Sequence, residues 1–220
     1  MRLSTRFMSV LGVVLLSASN WASAGPWKQT YEVTITNVTK GVYFTPLLNV
    51  AHSRKVQLFE VGEAASAGLG EVAEGGAVDT LISELSAADA SADVAVSEGL
   101  LGPGASTTVT VEANPYQVFS VAAMLLPTND TFVALNGVRL PRYGSRTYMA
   151  SAYDGGTETN DELCANIPGP QCGGSPFSPD DEGEGYVYPA PGIHGEADLS
   201  IATYNWQGAV AKVTIKRVRN

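Results

Sequence analysis

Apolar and polar residues alternate at both ends of the chain with the period of a half-buried strand. In "YEVTITNVT" (31–39) Tyr31, Val33 and Ile35 fall on one side and Glu32, Thr34 and Thr36 on the other, the two-residue repeat of a pleated backbone. "AVAKVTIKRV" (209–218) repeats it, with Val213 and Ile215 against Lys212, Thr214 and Lys216. These two segments are expected to pair or to lie side by side. Between them, residues 55–61, 107–113, 117–125 and 130–138 read as further strands, with "GPGAS" and "ANPY" as turns.

One region carries the helical period instead. Residues 65–76 and 77–88 place apolar side chains at helical spacing, with Leu81, Ile82 and Leu85 on one face and Asp79 near a start. Both segments are short and rich in Gly or Ala, as inserts between strands would be. The predicted fold class is therefore all-β, an antiparallel β-sandwich with a short helical insert, rather than alternating βα units. From 139 to 200 Gly, Pro, Asp, Glu, Tyr and Ser crowd together without a sustained period. A loop this long inside one domain needs something to order it.

Residues 1–24 read as a signal peptide. Arg2 and Arg6 precede the apolar run "FMSVLGVVLLSA", and "ASA" at 22–24 supplies small residues before Gly25. The run is too short for a transmembrane segment, so an exported domain over 25–220 is expected, periplasmic or secreted. With Arg2 and Arg6 removed, 22 acidic residues outweigh the basic ones by roughly 11, a surface that repels nucleic acid and anionic membranes. The only two cysteines, Cys164 and Cys172, flank the reversing segment "ANIPGPQ". In an oxidising compartment they are expected to form a disulfide that braces the long loop.

Two stretches gather short acidic side chains at turns: "TNDTF" (128–132) and "YDGGTETNDE" (153–162). Calcium takes six to eight oxygens from carboxylates, carbonyls and water. "DGGTE" offers Asp154 and Glu158 around two glycines that let backbone carbonyls approach. Acidic residues in glycine-rich loops are more often solvated turn formers, and the spacing is not that of an EF-hand, so this pattern alone does not decide.

The ordered series "YEVTITNVT", "FTPLLNVAHS" (44–53), "LFEVGEAASAGLGEVAEGG" (58–76), "MLLPTNDTFVAL" (124–135), "YDGGTETNDE" and "VTIKRV" resembles the spondin N-terminal domain family, from residue 29 to residue 218. That family includes extracellular matrix proteins of the F-spondin and mindin type and bacterial secreted proteins. The resemblance implies a β-sandwich similar to C-two-type calcium-dependent lipid-binding domains, with one calcium at a loop end. The metal carboxylates of animal members, in a "PD" step and a "DAGTD" loop, fall here on Asp130, Asp154 and Glu158. Two departures stand out: Asn129 and Asp130 replace the "PD" pair, and Glu158, one methylene longer, replaces the last Asp.

The other candidates are weaker. His52 and His194 have no Cys or second His at ligand spacing, which disfavours zinc. "GLGEVA" (68–73) lacks the βα alternation of a dinucleotide turn and is read as close backbone packing. A secreted hydrolase is the rival function, with Asp154 and Glu158, or Asp180 and Glu184, as its carboxylates. Acid catalysis needs an apolar pocket that raises a pKa, and these residues sit among Gly, Thr and Asn, so no enzyme is expected. Tyr186 and Tyr188, set among acidic residues and glycine, are candidate ligand contacts, whereas burial is expected for Tyr148 and Trp206. The sequence thus points to a calcium-binding adhesion or ligand-binding module for an unidentified extracellular or cell-surface protein or glycan.

Overall fold

A computed structural model describes residues 27–177 and 183–218. The expected signal peptide (1–24) and Asp180 lie outside the described residues. The chain forms β1 (Gln29–Asn37), β2 (Tyr43–Phe44), β3 (Leu48–His52), α1 (Ala67–Gly75), α2 (Asp79–Ala88), β4 (Asp93–Val96) and β5 (Ser106–Ala113). Then follow β6 (Val118–Leu126), β7 (Thr131–Arg139), β8 (Ser145–Asp154), β9 (Tyr188–Pro189), α3 (Ile201–Tyr204) and β10 (Ala211–Arg217).

The sheet is antiparallel in the order β4-β3-β6-β7-β8-β10-β1-β5, with β2 beside β6 and β9 beside β8. The terminal segments pair as their alternation requires, Val33 opposite Ile215 and Ile35 opposite Val213. The sheet curls until its two edges nearly meet: the Glu112 amide of β5 donates to Asp93 Oδ2 of β4 at 2.7 Å. An all-β architecture is the result, folded on itself as a sandwich is. Inward residues of both layers, among them Ile35, Phe44, Phe119 and Ile215, form one core. A second core lies between the sheet's other face and the helical insert, where Leu69, Val72, Leu81 and Leu85 meet Phe132 and Val50. Burying side chains of this size contributes about 1.5–3 kcal/mol each, which is why two short helices persist here.

The "GLGEVA" segment is close packing, as its composition suggests. A Cβ on Gly68 would come within 2.5 Å of the Leu81 amide nitrogen, so only glycine lets α1 and α2 approach. Two expectations need correction. Residues 55–61 are not a strand: Leu58 and Phe59 are buried in irregular backbone anchored by one side chain, Asn136, which accepts from Leu58 N at 3.1 Å and donates to Phe59 O at 2.6 Å. The stretch from 139 onward is not aperiodic throughout either, because β8 occupies Ser145–Asp154. Its inward positions are Ala150, Ala152 and Asp154, too small or too polar to register as an apolar stripe.

The rest of the long loop is ordered locally. Cys164 and Cys172 form a disulfide, and they pack against Ile167, Ile193 and Leu199 in a small satellite core that Trp206 and Tyr204 flank. Glu162, buried and at φ 55, anchors the far side by accepting from the amides of His194, Gly195 and Glu196.

Candidate metal centre

Asp130 follows the β6–β7 turn and Asp154 ends β8, and the register sets Thr131 opposite Asp154. Adjacent strands therefore deliver both carboxylates to one pole of the sheet. The loop after β8 then folds back over them. Gly155 N donates to Asp130 O at 3.0 Å, and Asp130 Oδ2 accepts from Thr157 N at 2.7 Å, Glu158 N at 3.1 Å and Thr157 Oγ1 at 3.2 Å. Asp154 Oδ1 accepts from Gly156 N at 2.9 Å and Oδ2 from Asn160 Nδ2 at 2.8 Å. Gly156 turns at φ 64 directly beneath the Tyr186 carbonyl, where no Cβ fits.

Asp130 and Asp154 are fully shielded from solvent and Glu158 is 1% exposed. Burial, and then the charge of Asp154, pushes the Asp130 carboxyl up to about 7. Burial also raises Asp154, with Glu184 adding to the effect against the hydrogen bonds from Asn160 and Gly156. The same field reaches Tyr188, whose hydroxyl is pushed above its ordinary range by burial, by Asp154 and by a hydrogen bond to Glu184. The expectation that Asp154 sits in a polar, ionising setting is thus overturned. The local sequence is Gly, Thr and Asn, but the pole is closed over by the loop.

Two neighbouring buried carboxylates require either a proton between them or a cation. Asp130 Oδ1 bears on which, because it is buried and accepts no hydrogen bond. An unpartnered acceptor in a set of hard oxygen donors fits a calcium ion. Among the described residues no three His, Cys, Asp or Glu side chains gather closely enough to hold a metal by themselves. Asp130 and Asp154 would therefore be the charged ligands, with Glu158, backbone carbonyls and water completing the six to eight oxygens.

The structure brings Asp130 and Asp154 together; Glu158 is tied to Asp130 through its backbone amide, and its carboxylate does not complete a cluster of three. Tyr188 is half-buried and takes a hydrogen bond from Asn160 at 3.2 Å, whereas Tyr186 is 45% exposed. Thr157, Asn160 and Glu184 are participants that the sequence reading did not place at this pole. Asn129, noted as a departure from "PD", clamps the loop: its Nδ2 donates to Asp161 at 2.9 Å and its Oδ1 accepts from Glu162 N at 3.2 Å. The Asn and Thr residues of "TETNDE" were the available signal, since such side chains bridge turns. The histidines stand apart. His52 is buried between Ser120 Oγ at 2.7 Å and Ser53 O at 2.9 Å, and His194 lies in the loop held by Glu162.

A curled antiparallel sheet with an acid-rich, loop-covered pole defines an all-β module. The chain belongs to the Spondin_N family, whose model matches residues 18–161. The match takes in Asp130, Asp154 and Glu158 but stops short of Glu184, Tyr188 and the closing "VTIKRV" strand. This family is extracellular and is not in general a family of enzymes. No curated protein matches the chain. Among the described residues, no helix is long and apolar enough to cross a membrane.

Proposed function

We propose that this chain is a secreted spondin-type binding module whose loop-rich pole is set by one calcium ion, with Asp130, Asp154 and Glu158 as its carboxylate residues. The observation that carries the reading is the buried acid pair with an unpartnered Asp130 oxygen. A divalent cation would neutralise the pair and tie the β6–β7 turn to the loop that presents Tyr186. Tyr188 supports the metal pole from behind, leaving Tyr186 as the loop's exposed aromatic contact for an extracellular or cell-surface partner in an adhesion role. For Asp154 and Glu158 the hydrolase alternative is disfavoured by access, because a polymeric substrate does not reach carboxylates that are covered. Ligand binding to the native state alone stabilises it by about 2.7 kcal/mol at a hundredfold excess over Kd. Millimolar calcium is expected to raise the melting temperature of the parent and to leave Asp154→Ala unmoved; no shift in the parent would overturn the metal assignment.

A further inference from the structure

The opposite pole of the sheet carries the other sign of charge. β7 and β8 run from the acid pair at one end to Arg139 and Arg146 at the other, roughly 30 Å away at the rise of a strand. There two adjoining cavities, of about 620 and 680 Å³, share Arg54, Pro115, Leu140, Pro141, Arg142 and Tyr143 in their walls. Every arginine among the described residues lines one or both: Arg54, Arg139, Arg142, Arg146 and Arg217. No Asp or Glu lines either cavity. The ion pairs among the described residues use lysine, Lys28 with Asp93 and Glu112, and Lys216 with Glu32. In a chain of net charge −9, all the described guanidinium groups are therefore concentrated in one cleft, with no carboxylate partner.

The aromatic residues of the cleft are equally unusual. Trp27, Tyr116 and Tyr143 are 81%, 77% and 84% exposed, each far more than packing would leave a ring of that size. Part of the floor is fixed: Arg217 donates to Arg142 O at 2.6 Å and to the Gln29 side chain, and its guanidinium lies 5.9 Å from the Tyr143 ring centroid. Four strand ends and three turns, on separate stretches of sequence, build this wall.

We propose that this cleft binds an acidic polysaccharide, its carboxylate or sulfate groups on the arginines and its sugar rings on Trp27, Tyr116 and Tyr143. Guanidinium groups present paired donors matched to carboxylate and sulfate oxygens. Flat exposed rings with polar tips offer faces to pyranose rings. Each cavity alone is of the size that takes a small ligand, so two that share a wall have room for more than one sugar unit. A phospholipid surface is disfavoured because the exposed large apolar residues here are aromatic, without an aliphatic patch to insert. Nucleic acid is disfavoured by its charge density, about one phosphate per 1.7 Å in a duplex, against a protein that is acidic elsewhere. The cleft shares no residue with the calcium pole, so it stands or falls independently of that reading.

The test is calorimetric titration of the parent with oligogalacturonate, a sulfated oligosaccharide and a neutral gluco-oligosaccharide of equal length, in calcium and in chelator. Phosphatidylglycerol vesicles and single-stranded DNA serve as competing anions. Saturable binding of at least one acidic glycan is expected, unchanged by chelator, with the neutral glycan at least tenfold weaker. Raising the salt from low to physiological strength is expected to weaken binding on the order of tenfold, since a few charge contacts are involved. The double reversal Arg142→Glu/Arg146→Glu, both residues exposed, is expected to weaken binding at least tenfold at an unchanged melting temperature. Arg54→Ala, on a separate loop, gives an independent loss of severalfold, and so does Tyr143→Ala. Equal affinity for the neutral glycan, tighter binding of DNA or vesicles, or full affinity in the folded double reversal would overturn the proposal.

Discussion

Removing a proposed metal ligand is ordinarily expected to weaken a protein, yet Asp130→Asn should stabilise this one in the absence of calcium. Asp130 is pushed from 3.8 to about 7, and each unit is worth about 1.36 kcal/mol. Ionising it inside the fold therefore costs on the order of 4 kcal/mol relative to the unfolded chain. The sign follows from proton binding: between about pH 4 and pH 7 the folded state holds a proton that the unfolded state has released. Calcium-free stability thus falls as pH rises through that window and levels off above it. Asparagine keeps an acceptor for the amides of Thr157 and Glu158 but places an NH2 where Oδ1 has no partner, a loss of about 1–3 kcal/mol. The net expectation in chelator at about pH 8 is a gain of roughly 1–3 kcal/mol, together with loss of the calcium increment proposed for the parent. Urea denaturation reads this as a higher midpoint at constant slope. A variant less stable than the parent in chelator, or a parent whose calcium-free stability does not fall across that pH range, would refute the buried-charge argument.

Three further outcomes are expected. Gly156→Ala places a Cβ against the Tyr186 carbonyl at a positive φ of 64, and should cost more than about 2 kcal/mol in thermal unfolding; a neutral result would mean the loop does not close over the acid pair. Replacing Cys164 and Cys172 with Ser releases a nine-residue ring, worth about 2–3 kcal/mol on chain-entropy grounds, as denaturant unfolding should show. Burial lowers the His52 pKa against the opposing influence of Ser53 and Asp89. Its NMR titration should therefore lie below 6.5, with its share of stability present above that pH and lost as pH falls through the folded value; a titration above 6.5 contradicts the buried neutral ring.

The sheet was legible where large apolar side chains alternate. Val33 and Ile35 against Val213 and Ile215 predicted a pairing that the register reproduces. It was illegible at β8, where Ala150 and Ala152 do the inward packing, and misleading at 55–61, where Leu58 and Phe59 fill a core from a coil held by Asn136. For the acid pole, the turn chemistry of "TNDTF" and "YDGGTE" singled out Asp130 and Asp154, which the register of β7 and β8 places side by side. What it missed was burial, because the covering groups come from elsewhere, including the Tyr186–Tyr188 segment. A local composition of Gly, Thr and Asn carries no record of a loop folding over it. The arginine cleft was invisible for the same reason, since Arg54, Arg142 and Arg217 are far apart in sequence and share a wall only once the sheet has formed.

The most direct measurement is an anomalous-difference map from crystals grown in calcium. One peak is expected within about 2.3–2.6 Å of carboxylate oxygens from both Asp130 and Asp154. A water molecule there, or the two carboxyls hydrogen-bonded to each other in saturating calcium, would contradict it.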